Sequence, residues 1–326
     1  QDYLLGTSIA RPLIAAHQVA VARETGADAV GHGATGKGND QVRFELTYMA
    51  LAPDLRIVAP WKDPAFELTS REAAIEYARR QRIPITASPA KIYSRDRNLW
   101  HCSHEGAEIE RPDRPVRDDV WLMTRPLAEA PDEPARVLVG FERGNPVSLD
   151  GEAMPGHELI HALNQLAGEH AVGQVVLVEN RLVGMKSRGA YETPGGTALY
   201  AAHRALEQLC LERETFHYKH LLAARYGELV YYGQWFHPLR EALQAFVDHT
   251  QERVTGTVTV ELYRGHARAI AVESEHSLYD PALASFAMDG YDVTAARGFI
   301  DLFGLPMKVA ALRGAEAGAA TPRSGR

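Results

Sequence analysis

The stretch best equipped for chemistry is the glycine-dense run Gly31-His32-Gly33-Ala34-Thr35-Gly36-Lys37-Gly38-Asn39-Asp40. Main-chain N–H groups in such a run can turn toward an anion, and glycine lets the backbone approach a ligand closely. Gly31 followed by Gly36-Lys37 comes within one residue of a Walker A loop. It stops short, because Gly38 stands where a Ser or Thr would hold Mg²⁺, so a P-loop NTPase is not expected. A glycine turn with a purely structural purpose is the alternative reading of the run. His157-Glu158-Leu159-Ile160-His161 matches the zinc-protease pattern, with two imidazoles one helical turn apart and a glutamate between them. Glu179 is a conceivable third ligand. Against it, Leu159, Ile160, Ala162, Leu163 and Leu166 form the stripe of an ordinary amphipathic helix, so this helix is read as structural and no protein-bound metal is expected. His217-Tyr218-Lys219-His220 holds no carboxylate or cysteine within the run and reads as surface histidines. A third stretch, Val178-Glu179-Asn180-Arg181 through Met185-Lys186-Ser187-Arg188-Gly189-Ala190-Tyr191-Glu192-Thr193-Pro194, is dense in charge and glycine where an apolar strand gives way to a helix. Polar groups at a strand end are well placed to meet a ligand, with a solvated turn as the alternative. No Ser, His and Asp grouping and no cysteine with a partner histidine stands out elsewhere.

The elements that must carry these residues follow from periodicity. A helix is expected from about Ala10 to Glu24, stopped by Gly26, then a strand at Ala27 to Val30 running into the glycine loop. A helix through Val42, Phe44, Leu46, Tyr48 and Leu51 ends at Pro53, and Leu55 to Pro60 reads as a strand. Thr69 with Glu72 three residues on predicts a capping box and a helix, followed by a strand at Ile83 to Thr86. Helices alternating with short apolar strands predict a parallel α/β sheet over residues 1–89. Beyond it, a hairpin at Arg136–Glu142 and Val147–Leu149, a strand at Val175–Val178, helices near 157–168, 199–209, 213–230 and 238–251, and paired strands at Val254–Tyr263 and Ala267–Val272 predict an α+β domain with an antiparallel sheet over 90–275. Residues 276–326 remain as a C-terminal segment, with 311–326 expected to be disordered. The chain has 326 residues, enough for about two domains, and its 45% hydrophobic and 24% charged residues exclude disorder, collagen and coiled coil as descriptions of the whole. A formal charge of −7 has the wrong sign for a general nucleic-acid binder and favours small-molecule substrates. No apolar run is long enough to cross a bilayer, and two cysteines, Cys102 and Cys210, fit a reducing cytoplasm.

Tyr3-Leu4-Leu5-Gly6-Thr7-Ser8 with Ala10-Arg11-Pro12, His32 through Glu45, Leu51-Ala52-Pro53, Ile57-Val58-Ala59-Pro60-Trp61, and Val178 through Pro194 together closely resemble the argininosuccinate synthases, over residues 2 to about 300. The resemblance implies an ATP-dependent ligase that joins citrulline to aspartate through a citrullyl adenylate, releasing AMP and pyrophosphate, in arginine biosynthesis or the urea cycle. It implies a nucleotide-binding α/β domain of the PP-loop ATPase type and an α+β synthetase domain, assembled as a homotetramer through the C-terminal region, with no nucleic-acid or membrane partner. By the resemblance Tyr3, Ser8, Asn39, Arg43, Ser94, Ser103, Glu179 and Tyr191 bind citrulline, and Thr35, Asn39 and Asp40 bind aspartate. Gly33, Ala34, Thr35, Gly36, Lys37 and Gly38 lie against ATP, which arrives with Mg²⁺. These roles suit the residue types: Arg43 lies on the turns of one helix start with Asn39 and Asp40, where a cation can hold a carboxylate, and Glu179 can accept from an ammonium. Asp40 is the candidate for holding the aspartate ammonium and receiving its proton. The family's Ser-Gly-Gly-x-Asp-Thr-Ser loop, which wraps the pyrophosphate, occurs nowhere in the sequence. The expectation is therefore a nucleotide domain lacking its first part, the alternative function being a chain that binds amino-acid substrate or joins intact subunits without turnover.

Overall fold

A computed structural model describes residues 3–36, 38–68, 70–85, 93–284, 292 and 294–319. Up to His276 the chain forms one compact unit, and from Ser277 another. The first begins with α1 (Thr7–Thr25), β1 (Ala29–Gly31), α2 (Asp40–Leu51) and β2 (Arg56–Val58). α1 stops where Gly26 takes φ +68°, the left-handed cap that glycine adopts without strain. β1 and β2 pair in parallel, Val30 opposite Ile57, and Ala15, Val19 and Ala22 of α1 pack with Val30, Tyr48 and Leu55 into a small core. The parallel α/β arrangement expected here is the one observed.

α3 (Arg71–Arg80) follows, capped by Ser70, whose hydroxyl accepts from the Ala73 N–H at 3.1 Å. The cap is thus one residue later than the capping box predicts, and Thr69 itself lies outside the described residues. Residues 83–85 are not paired into a strand, and Thr86 lies outside the described residues.

Two antiparallel sheets come next. β3 (Ser94–Arg97), β4 (Cys102–Glu105), β8 (Gln174–Asn180) and β9 (Lys186–Glu192) form one in the order β3-β4-β9-β8. β5 (Ala135–Glu142), β6 (Asn145–Leu149), β7 (Glu152–Ala153), β10 (Gly256–Tyr263) and β11 (His266–Glu273) form the other in the order β11-β10-β5-β6-β7. Against the five-stranded sheet lie α4 (Gly156–Glu169) and α5 (Pro194–Cys210), which bury Leu159, Leu163, Leu199 and Leu206 with Val137, Val139, Val258 and Val260. α6 (Arg213–Tyr231) and α7 (Pro238–Thr250) pack on one another. Strands β3, β4 and β9 are not legible as strands in the sequence: Ser-Arg-Asp-Arg and Lys-Ser-Arg-Gly-Ala-Tyr-Glu carry no apolar alternation, because their outward faces serve a polar cavity and not a core.

The second unit holds α8 (Pro281–Ala284), α9 (Ala295–Phe303) and α10 (Leu305–Ala319). The helix over Leu305–Ala319 corrects the expectation of disorder for residues 311–319, since alanine, four times present in 311–319, has the highest intrinsic helix propensity. Residues 320–326 lie outside the description. None of the described helices is long and apolar enough to cross a membrane.

Candidate functional site

The four-stranded sheet has two faces with different chemistry. Ser94 lies opposite Glu105, Asp96 opposite Ser103, and Ser103 opposite Tyr191, so these side chains share one face by the period of two. Arg95, Cys102, His104 and Glu192 point to the other. The first face walls a cavity of about 470 Å³, closed from the other side by the start of α1, the glycine loop and the start of α2. Tyr3, Ser94, Ser103, Glu179 and Tyr191 line it together with Asn39, Asp40 and Arg43. Gly33, Ala34, Thr35 and Gly38 supply the loop's part of the wall. Ser8 is not there: it is buried and lines an adjoining hollow with Trp100 and Tyr231. Gly36 does not line the cavity, and Lys37 lies outside the described residues.

The loop is held in shape by its flanks. His32 accepts from the Ala34 N–H through Nδ1 at 3.2 Å, which leaves Nε2 to donate to Glu45 at 3.0 Å. Gln41 donates to the carbonyls of Gly36 (2.8 Å) and Gly38 (3.2 Å). A Cβ at Gly33 would meet no protein atom, so the space beside it belongs to the cavity.

Arg43 is almost wholly buried. Its Nε and Nη2 donate to the Tyr231 carbonyl at 3.2 and 3.1 Å, and Nη1 donates to Thr7 Oγ1 at 3.2 Å and Asp40 Oδ1 at 3.1 Å. Among the described residues, one of its five N–H groups has no acceptor. Asp40 is gripped from its other oxygen by Arg11, Nη2 to Oδ2 at 2.8 Å, and Arg11 also reaches Asp96 at 2.9 Å. Burial works against the Arg11 charge, but the two aspartates overcome it and hold the guanidinium above its ordinary value. Asp40 is thus held between two guanidinium groups.

Glu179 is the opposite pole. Its Oε2 accepts from the Tyr231 hydroxyl at 2.8 Å, while among the described residues Oε1 has longer contacts, 3.3 Å from the Tyr191 hydroxyl and 3.4 Å from Ser187. Burial, then the neighbouring Tyr191 and Glu179, pushes the Tyr3 phenol far up, and burial and Glu179 do the same to Tyr191, so both remain hydroxyl donors. Gly189 makes this possible: a Cβ there would fall 2.3 Å from the Tyr191 oxygen. Arg181 reaches Glu105 at 2.7 Å, and burial raises the Glu105 carboxyl despite that cation. Thr7, Arg11, Asp96, Glu105, Arg181 and Tyr231 are site residues that residue-by-residue reading of the sequence missed. Arg11 and Arg181 stand within the segments that carry the family resemblance, whereas Tyr231 ends an amphipathic helix and gives no signal.

The histidine pair of α4 is elsewhere. The His157 side chain is 72% exposed and lies 3.9 Å from its neighbour Glu158, while His161 lines a separate cavity with Asn164 and Thr124. Glu179 is thus not brought to them. The buried face of α4 is Leu159, Leu163, Asn164, Ala167 and Gly168, not the full stripe expected, for Leu166 is exposed. Lys219 of the His217–His220 run pairs with buried Glu207 at 2.8 Å. Cys102, His104 and Glu192 are the group among the described residues whose ligand atoms lie close enough to hold a metal, all within 4.8 Å. Their chemistry does not suit one. Glu192 already accepts five hydrogen bonds, and burial pushes the Cys102 thiol up to about 12, far from the thiolate a metal needs.

A glycine loop opening a helix beside a parallel strand pair, facing a polar antiparallel sheet across a cavity rich in both charges, is the architecture of a nucleotide-using synthetase. Residues 1–84 match the family model described as "Arginosuccinate synthase N-terminal HUP domain" and residues 93–310 the one described as "Arginosuccinate synthase C-terminal domain". The chain is 58% identical to the argininosuccinate synthase of Pelotomaculum thermopropionicum over 97% of its length and 79% of that protein's. It is 55% identical to that of Roseiflexus castenholzii over 96% and 77%, and 57% identical to that of Acetivibrio thermocellus over 95% and 76%. The chain belongs to the argininosuccinate synthase family and is an ATP-using ligase. Where the absent Ser-Gly-Gly-x-Asp-Thr-Ser motif predicts a nucleotide domain without its first part, residues 1–84 match that domain's model.

Proposed function

We propose that the enzyme joins L-citrulline to L-aspartate in the cavity between the glycine loop and the four-stranded sheet. ATP lies against Gly33 to Gly38, and the ureido oxygen of citrulline attacks the α-phosphorus, so that pyrophosphate leaves and a citrullyl adenylate forms. The amine of aspartate then attacks the ureido carbon, the bond to the AMP oxygen breaks, and a proton is lost to solvent or a nearby carboxylate. No protein nucleophile is needed, so rate comes from positioning and charge. Glu179 Oε1, with its loose contacts, takes the citrulline ammonium, and Tyr3, Ser94, Ser103 and Tyr191 frame the rest of that substrate. Ser8 acts from behind the wall. The free N–H of Arg43, with Asn39, serves a carboxylate. Thr35, Asn39 and Asp40 serve aspartate, Asp40 as a fixed charge for its ammonium. Mg²⁺ accompanies the phosphates of ATP and neutralises their charge.

The observation that carries this reading is that one cavity of about 470 Å³ is walled both by the glycine loop and by Glu179 and Tyr191, more than 140 residues apart in sequence. The test uses citrulline labelled with ¹⁸O on the ureido oxygen. Transfer of the label to AMP, dependent on ATP, is expected, and unlabelled AMP would exclude the adenylate.

The functional division then falls at 1–89, 90–275 and 276–326. The last segment is the tetramer-forming part: Phe299, Ile300, Leu302, Phe303 and Met307 are all more than 60% exposed, an apolar surface that a second copy would cover. Light scattering on the purified protein should give four times the monomer mass. A reducing cytoplasm suits two free, buried cysteines.

A further inference from the structure

Asn39 and Arg43 stand 140 and 136 residues before Glu179, yet all three meet at a single residue, Tyr231, the last of α6. Its hydroxyl accepts from Asn39 Nδ2 at 2.9 Å and has Glu179 Oε2 at 2.8 Å as its nearer acceptor, the Asn180 carbonyl at 3.0 Å being the second. Its carbonyl accepts from both Nε and Nη2 of Arg43, and its ring lies 5.1 Å from the guanidinium carbon. That carbonyl belongs to the last turn of a helix, where carbonyls lack intrahelical partners and the helix dipole is negative, so a guanidinium is the natural cap. The turn out of α6 fits closely against α2: Gly233 adopts φ +76°, and a Cβ there would fall 2.7 Å from Arg43 Cα.

We propose that Tyr231 is a positioning residue for the ligation, its hydroxyl fixing Asn39 and Glu179 and its carbonyl fixing Arg43 so that the citrulline site is preassembled across α2, α6 and β8. The proposal rests on the reading of Asn39, Arg43 and Glu179 as citrulline-binding groups. The division of labour on Glu179 is specific. Tyr231 occupies Oε2 with the shortest hydrogen bond that Glu179 makes to a described residue, which leaves Oε1 to an ammonium in the cavity. Burial, then the hydrogen bond to Glu179, pushes the Tyr231 phenol up, so it stays a donor to that carboxylate. On the other side, the same oxygen orients the Asn39 amide, whose Oδ1 is held by the Leu182 N–H at 2.9 Å.

The test is Tyr231→Phe, which keeps the ring, the carbonyl and every contact of Arg43 and removes only the hydroxyl. The expected result is a rise in KM for citrulline of roughly ten- to a hundredfold, the range for one hydrogen bond to a charged group, with kcat falling far less than kcat/KM and KM for ATP little changed. Glu179→Gln should raise the citrulline KM as well, and Tyr231→Phe added to it should raise it little further, because both act on one carboxylate. If Glu179→Gln raises the citrulline KM but Tyr231→Phe does not, Tyr231 is only a helix end and the proposal is overturned. If Glu179→Gln and Asn39→Ala both leave citrulline binding unchanged, the citrulline assignment itself fails and takes the proposal with it.

Discussion

Glu192 is wholly buried on the face of the sheet that looks away from the cavity, and its replacement by Gln offers a sharp test of how the site is supported. Oε1 accepts from His104 Nε2 at 2.7 Å and the Leu122 N–H at 2.8 Å. Oε2 accepts from the N–H groups of Met123 (2.7 Å) and Thr124 (2.8 Å) and from the Thr124 hydroxyl (2.8 Å). Burial would raise this carboxyl, but the hydrogen bonds from His104, Leu122, Thr124 and Met123 outweigh it and hold it below the usual range. An amide has one acceptor oxygen, so whichever way it turns, its NH₂ faces at least two donors. Stranding two buried donors costs about 1–3 kcal/mol each, or about 3–5 kcal/mol together in the middle of that range. If the unit melts cooperatively, that lowers Tm by roughly 6–20 °C. If the segment opens locally instead, the amides of Leu122, Met123 and Thr124 should exchange about 10² to 10⁴ times faster. The sign of the pH dependence follows from the lowered carboxyl. Its contribution is complete above the unfolded value of about 4.3 and is lost as pH falls through the folded value, so wild type and Glu192→Gln should converge below about pH 4. Calorimetry and hydrogen exchange at pH 7 decide the matter. A Tm within a degree of wild type together with unchanged protection of residues 122–124 would refute the reasoning.

Glu179→Gln should weaken citrulline binding by about tenfold or more while ATP binding, measured separately by calorimetry, is retained. Arg43→Lys should cost more, about 2–5 kcal/mol in citrulline affinity, because an ammonium cannot span the Tyr231 carbonyl, Thr7 and Asp40 together; an unchanged affinity would remove Arg43 from the site. His157→Gln with His161→Gln should leave metal content by elemental analysis and turnover at parental levels, and loss of stoichiometric zinc in the variant would revive the metal reading. Gly189→Ala should lower citrulline affinity by displacing the Tyr191 hydroxyl, and wild-type affinity would contradict the close approach seen there.

What the sequence made legible divides along physical lines. Segments that bury one apolar face, such as α1, α5 and the β10–β11 hairpin, announce themselves by period, because the core reads only hydrophobicity. The glycine loop was legible for another reason: four glycines between a strand and a helix have few uses other than close backbone approach. β3, β4 and β9 were not legible as strands, since one face meets a polar cavity and the other a buried ionic knot, leaving no alternation to find. For the same reason Arg11 and Arg181 pass for surface cations by composition alone. Tyr231 is the hardest case, as its contacts with Asn39 and Glu179 exist only after α6 has packed across segments far apart in the chain. The His157–His161 pattern misleads in the opposite sense: a spacing that brings two imidazoles to one face says nothing about whether that face is the buried one.

The adjacency of Tyr191 and Glu192 links stability to the site. In a strand, consecutive side chains point to opposite faces, so Tyr191 must face the cavity if Glu192 faces the core. Glu192, tied to five donors, fixes the register of β9 against β4, with Cys102 opposite Glu192 and Ser103 opposite Tyr191. A slip of one residue would put a carboxylate into the cavity and a phenol into the ionic knot. The knot therefore holds Ser103, Tyr191 and, through the Tyr191 hydroxyl, Glu179 Oε1 in place without touching any ligand. Its loss should consequently raise the citrulline KM at temperatures where the fold still stands, an effect that a merely global loss of stability would not produce. Measuring KM for Glu192→Gln at 15 °C, well below its melting temperature, separates the two: a wild-type value there would show that β9 keeps its register without the knot.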